Sequence, residues 1–255
     1  MLILSLYVLV ALLVSLARAD FLENHSFDAP YTEVDGNGDR IISNSWRTSG
    51  STSVEKNFIR LTPDRQSKKG SIWGRKALNV PSFNAVMKFR ISGQGKTMFG
   101  DGLALWITQQ SYYVEGNLHG FQDKFVGVGI IFDTFKNTET LHLHKDVTVL
   151  INNGQKTCEM MVETPQGCDA DFRYHAARAD FNVNSMSAAK IVADGTSISV
   201  LIDAKGSGQY VQCVTISNHG LPLDWLRKSH IGMFYYHLCI RYIFFVVVLL
   251  YYINK

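Results

Sequence analysis

The sequence has little excess charge of either sign. Charged residues make up 18% of the chain, and the formal net charge is +3. That charge is too small to favour a nucleic acid or an anionic surface as the partner. Hydrophobic residues reach 46% of 255 residues, enough for a buried core. We therefore expect a globular protein that does not bind nucleic acid.

The common signatures of catalysis are also missing. The chain has no Gly-x-Ser-x-Gly motif, and no His, Asp and Ser stand out as a set by their spacing. Glycoside hydrolysis needs two carboxylates on either side of a sugar-sized gap. Asp101 and Asp133 are the obvious pair, but the context of each suggests another role. We expect no enzymatic activity.

Two candidate metal motifs are incomplete. Residues 35–39 begin like an EF-hand loop, but Arg40 occupies the position that requires glycine and Trp46 the position that requires glutamate. His142 and His144 lie on one face of a predicted strand, without a third ligand at metal-site spacing. The first motif is therefore a turn, and the two histidines are read as surface residues.

The N-terminus resembles a secretory signal peptide. Residues 2–16 are almost wholly apolar and precede Ala17-Arg18-Ala19, a small-x-small cleavage pattern. Removal of residues 1–19 would start the mature chain at Asp20. The secretory pathway is oxidising, so the four cysteines are candidates for disulfides. Spacing alone does not choose among the pairings, and Asn24-His25-Ser26 is an acceptor motif for an N-linked glycan.

The middle of the chain reads as strands and turns. Apolar residues alternate over 85–91 and 198–202, whereas 103–107 and 126–132 are continuous apolar runs typical of strands buried on both faces. Asp194-Gly195 and Asn152-Asn153-Gly154 suit tight turns. A short helix is expected near 221–228. The pattern predicts an all-β sandwich or barrel in one domain over residues 20–232.

Two segments offer oxygen atoms at strand ends. Asp101 lies between two glycines just before a buried run, where it is either an ordinary turn residue or an acceptor for sugar hydroxyls. Oxygens from Asp133, a following backbone carbonyl and Asn137 could converge on calcium. The residues alone lead no further than a secreted β protein with a candidate calcium and hydroxyl site.

Several sequence blocks, taken together, resemble the L-type (legume-like) lectins of the early secretory pathway. The resemblance runs from about His25 to Ile231, with five motifs in order: 60–64, 67–73, 100–106, 132–137 and 167–173. It implies a concanavalin-A-like jelly-roll sandwich of two antiparallel sheets. It also implies calcium-dependent recognition of high-mannose N-glycans on glycoprotein cargo, in transport or quality control between the ER and the Golgi.

The resemblance assigns roles to individual residues. Asp101 would accept hydrogen bonds from mannose hydroxyls, and Ser67 and Asn137 would also contact the sugar. Asp133, Asn137 and the carbonyl of Phe135 would hold calcium. The resemblance further implies a disulfide between Cys168 and Cys213, which leaves Cys158 as an odd thiol.

The sequence departs from the lectin pattern at the calcium site. Met160 falls where these lectins have histidine, and Glu163 falls where they have aspartate. A thioether is a poor ligand for a hard cation, although Glu163 can still supply an oxygen. We therefore expect calcium to bind more weakly than at a complete site.

The likeness ends at Gly232, before the family's glycine-rich loop and closing strands, so we expect a sandwich that lacks its final strands. The apolar residues 233–255 have two interpretations. They are long enough to span a membrane, although His237 and Arg241 oppose insertion. The alternative is the end of a truncated or misspliced transcript.

Three functions follow from these expectations. The first is a mannose-binding cargo lectin of the early secretory lumen, attached to a membrane if the C-terminal segment is an anchor. The second is a degraded lectin scaffold that binds partner proteins without sugar, favoured by Met160 and the missing loop. The third and weakest is a glycosidase, since the same fold hosts such enzymes.

Overall fold

The computed structural model describes residues 21–63, 65, 67–92, 102–135, 145–174, 186–236 and 250–253. Four residues discussed above lie outside these ranges: the predicted site residues Asp101 and Asn137 and the histidines His142 and His144. Helical structure in the described ranges amounts to a 3₁₀ turn (Glu23–His25), α1 (Cys158–Val162) and α2 (Trp225–Lys228). In chain order the strands are β1 (Trp46–Gly50), β2 (Ser53–Val54), β3 (Ile59–Arg60), β4 (Gly70–Gly74), β5 (Phe83–Phe89), β6 (Ile91–Ser92), β7 (Gly102–Thr108), β8 (Glu115–Leu118), β9 (Val126–Asp133), β10 (Val147–Asn153), β11 (Gln166–Cys168), β12 (Arg173–Tyr174), β13 (Ser187–Ala193), β14 (Ser197–Asp203), β15 (Val211–Ser217), β16 (His230–Tyr236) and β17 (Leu250–Ile253).

Two large antiparallel sheets form the fold. The seven-stranded sheet has the order β1-β4-β16-β7-β9-β10-β11, and the five-stranded sheet has the order β15-β14-β13-β5-β17. Two strand pairs, β2–β3 and β6–β12, are separate from them. The predicted all-β sandwich of two antiparallel sheets is confirmed.

The five-stranded sheet is buried on one face. Along β5 buried and half-buried residues alternate strictly, with Met87 and Phe89 fully buried. Ile191 of β13 and Val200 of β14 join the same core, because successive side chains of a strand point to opposite faces. The predicted alternation is confirmed.

The central strands of the seven-stranded sheet are buried on both faces. Every residue of β7 after Gly102 is buried, as are the six central residues of β9. One face packs against the five-stranded sheet. The other face carries a second cluster, formed with the loop between β7 and β9 and with α1: Trp73, Ala104, Trp106, Leu118, Phe121, Phe125, Ile131, Leu150, Met161 and Phe234. Double burial explains why these strands read as continuous apolar runs.

Both predicted turns are present. Asp194 closes the hairpin between β13 and β14, where its N–H donates to the Ser197 carbonyl at 3.0 Å. After β10, the Asn152 side-chain amide donates to the carbonyls of Asp123 and Lys156, and its oxygen accepts from two backbone N–H groups. The predicted helix near 221–228 is present as the single turn α2.

Strand β16 continues past the domain limit expected at Gly232. It pairs with β4 on one side and with β7 on the other, and Met233, Phe234 and Tyr235 are buried. Residues 233–236 therefore belong to the sandwich and not to a separate tail. Apolar side chains suit this position because both faces of the sheet are covered.

The C-terminal segment also contributes to the five-stranded sheet. Residues 250–253 form β17 and pair with β5 in an antiparallel register, so β5 has a partner strand on the side away from β13. Within the described ranges, no helix has the length and apolar character needed to cross a bilayer. A membrane anchor in this segment stays a prediction.

Candidate functional site

The candidate site lies where adjacent strands of the seven-stranded sheet begin or end, at a border that we call the Asp133 rim. Gly102, the first residue of β7, is opposite Asp133, the last residue of β9, and also opposite Tyr236, the last residue of β16. Val147, the first residue of β10, is opposite Phe132, the residue that precedes Asp133. The ends of four adjacent strands therefore meet at the Asp133 rim.

Asp133 starts a tight turn at this rim. Its backbone N–H donates to the Asp146 carbonyl at 2.8 Å, and its Oδ1 accepts the N–H of Phe135, also at 2.8 Å. This side-chain bond closes a local Asx-type turn directly after β9, as Asp often does. The carboxylate of Asp133 and the carbonyl of Phe135 are thus held on one short turn.

Gly102 allows close approach of the strands at the rim. A Cβ atom at this position would collide with the Phe132 carbonyl and crowd the Cα of Asp133. The glycine that follows Asp101 is therefore required for β7 to lie against the end of β9. Asp101 lies outside the described residues, but its chain neighbour is directly opposite Asp133.

Ser67 lies on the approach to the same rim. It is exposed, its φ is 60°, and three residues later Gly70 begins β4 opposite Tyr235. Lys69 forms an ion pair with Glu115 of β8, which ties this segment to the loop over the sheet. Sequence reasoning missed this ion pair because the two residues are far apart in the chain.

Glu163 and Met160 lie on the stretch between β10 and β11. Both are exposed, Met160 at 60%. Strand β11 begins at Gln166, three residues after Glu163. Gln166 is opposite Val149 of β10, and Val149 is opposite Ile130 of β9. Ile130 is three residues before Asp133, or about 10 Å along the strand. The role of Glu163 as a calcium ligand stays a prediction.

The oxygens at the rim suit a hard cation. Carboxylate and backbone carbonyl oxygens are the ligands that calcium prefers, and the turn from Asp133 to Phe135 supplies one of each. The described ranges contain no cluster of three or more His, Cys, Asp or Glu residues that could hold a metal by itself. The predicted ligand Asn137 lies outside those ranges.

A disulfide joins the two sheets next to the rim. Cys168 ends β11 opposite Val147, and Cys213 lies in β15 of the five-stranded sheet. Their sulfurs are bonded, with a Cα–Cα distance of 5.2 Å. This is the pairing that the resemblance implied. Cys158 remains a free thiol, and burial, followed by the charges of Glu159 and Asp123, raises its pKa.

Comparison with known proteins places the chain in a family. A sequence model described as the legume-like lectin family matches residues 18–233. The chain belongs to the legume-like lectin family. Human vesicular integral-membrane protein VIP36 is 29% identical over 214 residues, and an L-type lectin-like domain-containing protein of Schizosaccharomyces pombe is 31% identical over 227 residues.

The extent of these matches differs between relatives. The human match covers 82% of this lectin and 56% of VIP36, and the yeast match covers 86% of this lectin and 68% of the relative. The chain thus spans about half the length of the VIP36 relatives it matches.

Solved structures share the fold. The exoplasmic/lumenal domain of VIP36, determined with calcium and Man2 bound, superposes with a TM-score of 0.75 at 25% identity. The match covers 92% of this lectin and 89% of that domain. The carbohydrate recognition domain of Emp47p, at 16% identity and a TM-score of 0.64, also has the same fold. Family and fold together identify a legume-like lectin domain.

Proposed function

We propose that this lectin binds high-mannose N-glycans of glycoprotein cargo in the lumen of the early secretory pathway, with calcium and without catalysis. The observation that carries the proposal is the strand register that puts Gly102 opposite Asp133. This register brings the segment after Asp101 and the segment after Asp133 to one rim. Asp101 and residues 133–137 were expected to form the sugar and calcium site.

Each residue of the proposed site has a distinct task. Asp133, the Phe135 carbonyl and Asn137 hold calcium, which stiffens the turn after β9. Asp101 accepts hydrogen bonds from mannose hydroxyls, and Ser67 and Asn137 add contacts to the sugar. Free sugar hydroxyls are well solvated, so acceptors gain affinity only if they are already fixed in orientation.

Calcium binding should be weaker in this lectin than in relatives with complete sites. Met160 offers a soft sulfur at the expected histidine position, and Glu163 precedes a strand that begins about 10 Å from the level of Asp133. Isothermal titration with calcium, beside the VIP36 lumenal domain, measures the difference. Equal affinity would overturn this part of the proposal.

A second function remains in competition. The alternative is a protein-interaction module that has lost sugar binding, and Met160 favours it because a thioether at the expected histidine position is a poor calcium ligand. A glycosidase is the weakest alternative. The three functions predict different behaviour toward glycans.

A glycan array distinguishes them. The full chain is applied with calcium and, separately, with chelator. The proposal expects calcium-dependent signal on high-mannose glycans, and Asp133→Asn should reduce that signal at least tenfold. Asp39→Asn is the matched control, because Asp39 is an exposed carboxylate on a separate hairpin, Val34 to Arg40. It should bind as the wild type does.

The remaining outcomes favour the rivals. A properly folded chain that is silent on every glycan supports the protein-interaction module. Release of product from a glycan supports the glycosidase. Signal that persists unchanged in chelator, or equal binding by Asp133→Asn and the wild type, overturns the calcium-dependent site.

A further inference from the structure

A concave site lies away from the Asp133 rim. A cleft of about 450 Å³ separates the N-terminal turn, residues 21–25, from residues 76–80, which follow β4. Both walls are fixed by backbone hydrogen bonds. His25 donates to the Leu22 carbonyl at 2.9 Å, and Leu78 donates to the Ser229 carbonyl at 2.8 Å. None of the residues that define the rim lines this cleft.

Asn24 stands at the cleft as the one Asn-x-Ser/Thr motif of the whole sequence. The residue is exposed, and its Oδ1 accepts hydrogen bonds from Ser45 Oγ at 2.9 Å and from Lys76 Nζ at 3.1 Å. N-linked glycosylation uses Nδ2 and leaves the amide oxygen in place. Both hydrogen bonds are therefore compatible with a modified Asn24, and they fix its side chain.

The burial of Ser26 limits when Asn24 can be glycosylated. In the folded chain Ser26 is buried, and its hydroxyl donates to the Leu22 carbonyl at 3.0 Å. The hydroxyl is part of the acceptor motif. A sugar must therefore be transferred as the chain enters the lumen, before the N-terminal turn closes.

Phe21 gives the cleft an apolar surface for a sugar ring. Its side chain is 51% exposed, which is unusual for a large aromatic residue, and it lines the cleft together with Asn24. An aromatic face can cover the C–H face of a pyranose while the sugar hydroxyls stay in contact with polar groups. Lys76 and Asn79 supply such groups within the same cleft.

We propose that Asn24 carries an N-linked glycan whose innermost N-acetylglucosamine packs into this cleft against Phe21. The donor is an oligosaccharide linked to a polyprenyl pyrophosphate. Asn24 Nδ2 forms a bond to the anomeric carbon and loses a proton. The bond from that carbon to the pyrophosphate oxygen breaks, and the lipid pyrophosphate leaves with the electron pair.

The packed sugar would act as a brace. It links the N-terminal turn to residues 76–80. Two residues after that turn, Phe27 packs edge-on against Trp46 with ring centroids 4.8 Å apart. The brace concerns stability and secretion, and it does not depend on sugar binding at the rim. Its failure would leave the proposed lectin function untouched.

Three forms of the same sequence test the brace. The full chain is produced in animal cells, trimmed with an endoglycosidase that leaves one N-acetylglucosamine, or produced without glycan in the oxidising bacterial periplasm. Intact mass should show one glycan, absent in Asn24→Gln and retained in Ser26→Thr. The first two forms should share a Tm about 2–4 °C above that of the third.

Two aromatic variants locate the contact. Phe21→Ala should remove the Tm difference between the trimmed and the glycan-free forms. Tyr112→Ala is the matched control, because Tyr112 is 56% exposed and does not line the cleft; it should preserve the difference. A chain without glycan mass overturns the modification. Equal Tm values for trimmed and glycan-free protein, or an undiminished difference in Phe21→Ala, overturn the packing.

Discussion

The two sheets share one core but differ in their outer faces. The seven-stranded sheet is covered on its outer face by the loop between β7 and β9 and by α1, and its central strands are buried throughout. The five-stranded sheet leaves its outer side chains half-buried, as along β5. The covered sheet is the one whose strand ends form the Asp133 rim, so the proposed binding site is built on the more deeply buried layer.

The largest expected effect concerns the bond between the sheets. The double variant Cys168→Ser/Cys213→Ser removes a cross-link across a sequence separation of 45 residues. Loss of the constraint on the unfolded chain should reduce the free energy of unfolding by about 4 kcal/mol. Urea unfolding measures it. Cys158→Ser, at the free thiol, is the control and should cost less than about 1 kcal/mol. Equal midpoints for the two variants would contradict the prediction.

A matched pair of leucines tests the two outer faces. Leu150 is 1% exposed in the cluster on the seven-stranded sheet, whereas Leu201 is half-buried on the outer face of the five-stranded sheet. Leu150→Ala should lower the free energy of unfolding by about 3 kcal/mol, because it leaves a cavity. Leu201→Ala should cost about 1 kcal/mol or less. Similar losses in urea unfolding would show that the outer faces do not differ.

The smallest expected effect depends on pH and distinguishes two turns. Hydrogen bonds, first from the Thr196 N–H, lower the pKa of Asp194 from 3.8 to about 2. Its stabilisation is thus present above pH 4 and is lost as pH falls through 2. Asp194→Ala should cost about 1–2 kcal/mol at pH 6, and this difference should shrink between pH 4 and 2.

The corresponding turn in the seven-stranded sheet supplies the control for that titration. Asn152 also makes four hydrogen bonds, but its amide does not titrate. The stability difference between the wild type and Asn152→Ala should therefore stay constant from pH 4 to 2. A parallel loss in both variants would show that the acid sensitivity does not come from Asp194.

Local patterns predicted much of the fold. Alternation over 85–91 and continuous apolar runs over 103–107 and 126–132 correspond to one-sided and two-sided burial, since both depend only on side-chain direction along a strand. The Asp194 hairpin followed from turn chemistry. Strand order could not be predicted in this way, because it depends on pairings between distant segments such as β4 and β16.

The candidate site was predicted from its motifs and not from its geometry. Asp133 and Phe135 were expected to bind calcium together; a hydrogen bond holds them on one turn, and their role as ligands stays a prediction. The opposition of Gly102 and Asp133 became visible only through the strand register. The limit at Gly232 was misplaced because motif likeness ended there, whereas hydrophobic burial continued to Tyr235.

The central place of β16 has a consequence for how the protein is made. Its two neighbours, β4 and β7, are synthesised more than one hundred residues earlier. They do not pair with each other directly, because β16 lies between them. Until residue 236 leaves the ribosome, the sheet consists of two separate pieces with open hydrogen-bonding edges. Such late, long-range closure is slow and exposes the nascent chain to aggregation. Chaperones should therefore remain bound to the chain until this strand has left the ribosome.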